Sequence, residues 1–369
     1  MPTNSAAWLP APRTPLEVGP AEYTAPGADE IVVKNSAVAI NPLDWILQLV
    51  GNVIYPWVKY PFVVGTDVAG EVVEVGSAVT RFAIGDRVLA LATGSDPDTK
   101  SAARGAFQQY TVVLERMASP IPDSLPFADA AVLPLALSTA ACALFQKDHL
   151  ALQYPSANPT PTGQTVLITG GSTSVGSNAI QLAVAAGYEV VTTASPRSAD
   201  YVRSLGATTV VDYASPTVVA DLVEALRGKT LAGAFAVAVG SAAICSDVLR
   251  ASEGRRFISI ASAPTAWQDA AQNPRRLPLV FVGILGSGLA LAAKTIRAGV
   301  RSRAVFGSSL KKNEVGTLIY RDFLPLALAE GRYQAAPKPL VVGHGLEFVQ
   351  QAMDVQRAGV SAQKVVVTL

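Results

Sequence analysis

The chain has 369 residues, half of them hydrophobic and 15% charged, with a net charge of +1. That length exceeds one ordinary core and predicts two domains, while the near-neutral balance without a basic stripe excludes a nucleic-acid surface. Two cysteines in so long a chain make no disulfide framework, and no basic segment followed by an apolar run opens the sequence, so a reducing, cytoplasmic setting is expected.

From Ala6 to about Ala131, short alternating runs such as Glu30–Lys34, Gly70–Gly76 and Asp86–Ala90 are separated by Gly, Pro and Asp. That texture predicts an antiparallel, partly barrel-like β domain. Pro120, Pro122 and Pro126 mark a linker into a helix over Phe127–Leu133. The stretch Thr165–Arg197 then reads as strand, glycine turn, helix and strand. Further strand runs are predicted at 208–213, 234–239, 256–261 and 304–308, which makes six with those at 166–169 and 189–193. Six strands alternating with helices suit two mononucleotide-binding halves. Leu277–Ala293 carries no charge, and Pro278, Gly283, Gly286 and Gly288 punctuate it. A strand end, a loop and a buried helix is the expectation there, with an apolar lid or subunit contact as alternatives, and no membrane span. The tail predicts a helix over Ile319–Glu330, an extended piece at Pro337–Val342, a helix over Leu346–Ala358 and a strand at Lys364–Thr368, returning to the first domain.

The glycine turn carries the chemistry. Gly171, Thr173 and Gly176 take the three places of G-x-G-x-x-G, and Ser172, Ser174 and Val175 fill the turn. Backbone N–H groups at a helix start lack intrahelical partners and hold a pyrophosphate. The second strand ends in Ala194-Ser195-Pro196-Arg197, without the acid that an NAD site uses on the ribose. Ser195 and Arg197, with Tyr213 near the adenine, favour a 2′-phosphate and hence NADPH. Arg197 as a solvated helix-start residue remains the alternative.

The order of a β-rich domain and then a nucleotide domain, with Asn41-Pro42-Leu43-Asp44, Gly65-Thr66-Asp67-Val68-Ala69-Gly70, Gly85-Asp86-Arg87-Val88, Gly105–Tyr110, Leu133-Pro134 and Ser138-Thr139-Ala140, resembles the medium-chain dehydrogenase/reductase superfamily. Within it the chain is similar to the zinc-independent quinone reductases and enoyl reductases, including fungal trans-acting enoyl reductases of polyketide pathways. The resemblance implies an α/β protein. A GroES-like β-rich catalytic domain (1–131 with 313–369) would join a Rossmann domain with a doubly wound parallel sheet (132–312).

Zinc relatives place Cys where Asn41 stands and His-Glu where Thr66-Asp67 stand, and they carry a four-cysteine lobe that two cysteines cannot build. No metal is therefore expected. Without a Lewis acid, reduction of a C=C bond conjugated to a carbonyl is the easier chemistry: hydride reaches the β-carbon, charge moves to an enolate oxygen and a proton reaches the α-carbon. By resemblance, Asn41 and Thr139 stand beside the nicotinamide ribose and amide. Tyr55 lines the active site as proton donor or carbonyl holder, with packing in its Tyr-Pro-Trp loop as the alternative. Related enoyl reductases often have Lys two residues after the motif's Asp; here it is Ile46. Val239, Gly240, Ile260, Ala261 and the neighbouring Ser241 and Ser262 line the cofactor crevice. Ile46, Tyr55, Phe281 and Phe306 are candidate walls of an apolar pocket.

The expected activity is NADPH-dependent reduction of an apolar small-molecule substrate, an enone, enoyl compound or quinone, by a monomer or homodimer. A metal-free alcohol or ketone dehydrogenase, and a non-catalytic NADPH-binding protein, are the alternatives.

Overall fold

The computed structural model describes residues 2–261, 267 and 273–369. Ser262, expected at the cofactor crevice, lies outside them. The chain forms two compact units, Met1–Leu135 with Lys311–Leu369, and Ala136–Leu310.

The first unit holds β1 (Asn4–Leu9), β2 (Glu17–Ala21), β3 (Glu30–Ala39), β4 (Phe62–Val63), β5 (Asp67–Val75), β6 (Arg87–Leu91), β7 (Tyr110–Leu114) and β8 (Ala118–Pro120). The second unit supplies β9 (Gln164–Thr169), β10 (Glu189–Ala194), β11 (Thr209–Asp212), β12 (Thr230–Ala236), β13 (Phe257–Ile260) and β14 (Arg301–Ala304); β15 (Lys338–His344) and β16 (Gln363–Thr368) belong to the first.

One sheet of the first unit has the order β2-β1-β4; the larger runs β15-β16-β3-β5-β6-β8, with β7 also on β3. Its pairings are antiparallel except β15–β16. Strand β3 is the spine because its apolar residues Ile31, Val32, Val33, Ala37, Val38 and Ala39 are buried on both faces. Ala39 is paired with Asp67 on one side and with Val366 on the other. That register brings the end of the chain beside the Asn41 and Thr66-Asp67 motifs.

The second unit is a parallel sheet in the order β11-β10-β9-β12-β13-β14, wound outward both ways from β9. The order reverses between β9 and β12, the switch point where such sheets bind dinucleotides. Both cysteines are buried and free.

Three expectations are corrected. The sixth strand is Arg301–Ala304 and not 304–308, because the backbone of Phe257–Ile260 pairs with the polar Arg-Ser-Arg-Ala run; Phe306 lies beyond it. The fourth strand runs Thr230–Ala236, not 234–239, with a bulge between Leu231 and Gly233. Gly240 then takes a left-handed conformation (φ 78°) as the cap of the helix Ser241–Ala251. Leu277–Arg297 is one continuous helix of 21 residues, not a strand end, a loop and a buried helix. Pro278 sits in its first turn, where no N–H is needed, so it starts the helix and does not break it. Among the described residues, Phe127–Phe145 and Leu277–Ala298 are long and apolar enough to cross a membrane, the first of them mostly buried in the protein.

Candidate active site

In the first unit the helix Pro42–Val50 begins after Asn41, whose backbone N–H donates to Asp44 Oδ2 at 2.7 Å. The Asn41 side chain does different work. Its Nδ2 donates to Thr66 Oγ1 (3.0 Å) and Asp67 Oδ2 (2.8 Å), and its Oδ1 accepts from Lys364 Nζ. Lys364 also pairs with Asp67 Oδ2 at 2.9 Å, and Asp67 Oδ1 accepts the N–H of Leu135 at 2.7 Å. An ammonium only donates and a carboxylate only accepts, so the pair fixes which way the amide points. Asp67 is 0% and Lys364 4% exposed, so each charge relies on the other and on these hydrogen bonds. Both amide hydrogens of Asn41 are committed here, and toward a ribose it retains only acceptor capacity at Oδ1.

Lys364 was not singled out in the sequence. Its one signal is a charge opening the otherwise apolar run Val365-Val366-Val367. Among the described residues, no three His, Cys, Asp or Glu side chains gather as a metal site.

Asp44 is fully buried, which pushes its pKa up to about 7 against the pull of the Asn41 N–H; Asp67 raises it further and Lys364 lowers it. The unfolded carboxyl ionises near 4, so folding takes up a proton between about pH 4 and pH 7, and stability through this group falls as pH rises across that window. Asp44→Asn, which keeps an acceptor without the charge, is expected to gain stability relative to the parent between pH 5 and pH 7.5. Urea midpoints at the two values check this; an unchanged difference would remove the effect.

Tyr55 is half-buried, with its ring edge-on to Trp57 at 5.7 Å between centroids. Burial raises its phenol pKa, and the charges of Asp44 and Asp96 raise it further. Asp96 is itself held by buried Lys311 at 2.5 Å, with Asp98 at 2.7 Å on the same ammonium. Ile46 is half-buried on the helix that carries Asp44.

In the second unit Gly170 turns left-handed (φ 73°) and hands the chain to the helix Ser174–Ala185. Thr173 caps that helix, accepting the Gly176 N–H at 3.0 Å. Among the described residues the backbone N–H groups of Ser172, Ser174 and Val175 have no acceptor, and they stand at the positive end of the helix. A Cβ on Gly176 would lie 2.2 Å from Gly170 O, so helix and turn approach as closely as only glycine allows. These donors and this cradle fit a dinucleotide pyrophosphate.

Tyr201, absent from the sequence reading, bonds Ser177 Oγ at 2.9 Å and ties the next helix to this one. Ser195 follows β10 and donates to Ser198 Oγ at 3.2 Å, while Arg197 is exposed on the same turn and Tyr213 is exposed after β11. Val239 is exposed three residues beyond β12, and Ile260 at the end of β13 and Ala261 after it are half-buried. Thr139 is half-buried on the helix Pro134–Phe145, Phe281 half-buried with its ring edge-on to Trp267, and Phe306 51% exposed. The first unit thus gathers Asn41, Asp44, Thr66, Asp67 and Lys364, and the second gathers the phosphate donors and the β10 terminus.

A β-rich unit with these motifs and a parallel doubly wound sheet with a glycine cradle define a nicotinamide-dependent oxidoreductase. Two family models match the chain, the alcohol dehydrogenase GroES-like domain over residues 27–123 and the zinc-binding dehydrogenase over residues 174–320. The chain is 50% identical over 374 residues to dehydrogenase pigH of Monascus ruber, covering 100% of both. It is 41% identical over 367 residues to trans-enoyl reductase himH of Aspergillus japonicus, covering 99% of this chain and 97% of that one. In fold it is similar to a quinone oxidoreductase of Pseudomonas syringae pv. Tomato DC3000, with a TM-score of 0.70 at 23% identity over 99% of this chain and 100% of that one. The chain belongs to the medium-chain dehydrogenase/reductase superfamily.

Proposed function

We propose that the protein is an NADPH-dependent reductase of C=C bonds conjugated to a carbonyl, acting without a metal ion, with quinone reduction as a close variant. The observation that carries this reading is the Lys364 ammonium against Asp67 and Asn41. Two of the side chains at the metal-ligand places of zinc relatives, Asn41 and Asp67, are already bridged by a fixed cation, and the third, Thr66, is held by Asn41. The likeness to a trans-enoyl reductase supports the same substrate class. The buried, free thiols suit a reducing compartment such as the cytoplasm.

Bound NADPH would supply the hydride. Ser172, Ser174 and Val175 would hold its pyrophosphate by backbone N–H, and Ser195 and Arg197 its 2′-phosphate. Among the described residues no hydrogen bond is made by the Tyr55 hydroxyl, and burial raises its pKa, which keeps it protonated at neutral pH. It is therefore the group assigned to hold the substrate carbonyl or deliver a proton. Ile46, Tyr55, Phe281 and Phe306 are the proposed apolar walls.

The test is NADPH oxidation by chelator-treated protein with a panel of enones, enoyl thioesters and quinones. Turnover is expected with an enone or enoyl thioester; turnover that appears only on adding zinc, or NADPH binding with none, would overturn the reading. Arg197→Ala is expected to lower the preference for NADPH over NADH by about ten- to a hundred-fold, the worth of a charge-assisted hydrogen bond. Dissociation constants of the two cofactors, read by titration, check it.

A further inference from the structure

The helix Leu277–Arg297 is apolar on the side that faces the protein and equally apolar on the side that does not. Val280 and Thr295 are buried, and Leu291 packs partly against the core of the second unit. The outer face presents Leu279, Val282, Leu285, Leu289 and Ile296, between 65% and 78% exposed. Large apolar side chains at i, i+3, i+6 and i+10 make a continuous stripe about 15 Å long at helical rise, and Ile296 extends it to about 25 Å. Gly283, Gly286 and Gly288 have open space where a Cβ would stand.

The charges carried by this stretch of the chain itself are of one sign. No Asp or Glu occurs from Ala270 to Asn313, while Arg275, Arg276, Lys294, Arg297, Arg301, Arg303, Lys311 and Lys312 do. Lys294 is neutralised by Asp247 at 2.6 Å, Arg303 by Asp148, and Lys311 and Lys312 by Asp98. Among the described residues, no acid pairs with Arg275 and Arg276 before the helix or with Arg297 at its end.

We propose that this helix lies in the surface of an anionic lipid membrane, its outer face among the acyl chains and Arg275, Arg276 and Arg297 at the headgroups. An apolar helix face with cations at its ends is the chemistry of interfacial attachment. A second copy of the chain fits less well. Antiparallel pairing would set Arg275 and Arg276 against the other copy's Arg297, and parallel pairing would set like against like. A polar protein partner would meet almost no hydrogen-bonding group between Leu277 and Ala293, where the Ser287 hydroxyl already donates to Gly283 O at 2.6 Å. Lipid needs neither acid nor acceptor.

The experiment is co-sedimentation of the full chain with vesicles of phosphatidylcholine alone and of phosphatidylcholine with phosphatidylserine, at low and high salt, alongside sedimentation analysis without lipid. Binding only to the anionic vesicles, weakened by salt, is expected. Each Arg→Gln change at 275, 276 or 297 is expected to weaken it roughly five-fold. The pair Leu285→Glu and Leu289→Glu is expected to abolish it while the circular dichroism spectrum and the reductase rate on a soluble substrate stay as in the parent. Protein that stays in the supernatant with anionic vesicles would overturn the proposal. So would self-association in the absence of lipid that the same pair of substitutions abolishes.

Discussion

Lys364→Met is expected to cost about 3–5 kcal/mol of stability, the range for removing one partner of a buried ion pair, and to abolish turnover in the molecules that still fold. Asp67, 0% exposed, would be left charged with only the Leu135 N–H and Asn41 Nδ2 to compensate it. Asn41 would also lose the donor that fixes its Oδ1. Two controls separate stability from chemistry. Lys364→Arg retains the cation and should recover part of both. Lys364→Met with Asp67→Asn leaves no orphan charge and keeps an acceptor for the Leu135 N–H, so it should regain much of the lost stability. With both anchors neutral, however, Asn41 no longer has a fixed orientation, and turnover should stay low. Urea unfolding and NADPH oxidation on the same samples read the two effects. A single Lys364→Met variant with parental kcat/KM would remove Lys364 from the site.

That lysine shows where the sequence stopped being readable. The cofactor turn is written in adjacent residues: an apolar strand, three glycine-type places and a helical apolar pattern all fall within Thr165–Ala185, so local rules reach it. The Asn41–Lys364 contact exists only because β16 pairs with β3 and β3 with β5, and no local rule connects residues 323 apart. The sequence singled out Asn41 by its motif, but the acceptors of its amide hydrogens, Thr66 and Asp67 at the start of β5, and the donor to its Oδ1, Lys364 of β16, come together only in the folded chain.

The helix Leu277–Arg297 failed for a different reason. A helix that is apolar on both faces has no periodicity to betray it, and Pro and Gly then look like breaks. The sixth strand was missed because Arg301–Ala304 is polar and exposed, and only its pairing with β13 makes it a strand.

Gly176→Ala is expected to weaken binding of the nicotinamide cofactor, proposed above to be NADPH, by about a hundred-fold, the order of loss that a 1 Å misplacement of positioning groups produces. The added methyl would lie 2.2 Å from Gly170 O and 2.9 Å from Gly171 Cα, and both obstacles are backbone, which cannot swing aside as a flexible side chain would. The helix start must therefore retreat from the turn, carrying the N–H groups of Ser174 and Val175 out of register with that of Ser172. Thr173 would lose its 3.0 Å bond from the residue 176 N–H in the same movement, and with it about 1 kcal/mol of capping. The sheet does not depend on this contact, because β9 is held by β10 and β12 on its two sides. The global unfolding midpoint should accordingly move far less than the cofactor affinity. Fluorescence titration with NADPH, beside a thermal melt without it, distinguishes the cases: equal losses in both would mean that Gly176 is a packing residue, whereas lost affinity in a folded protein assigns it to the phosphate cradle.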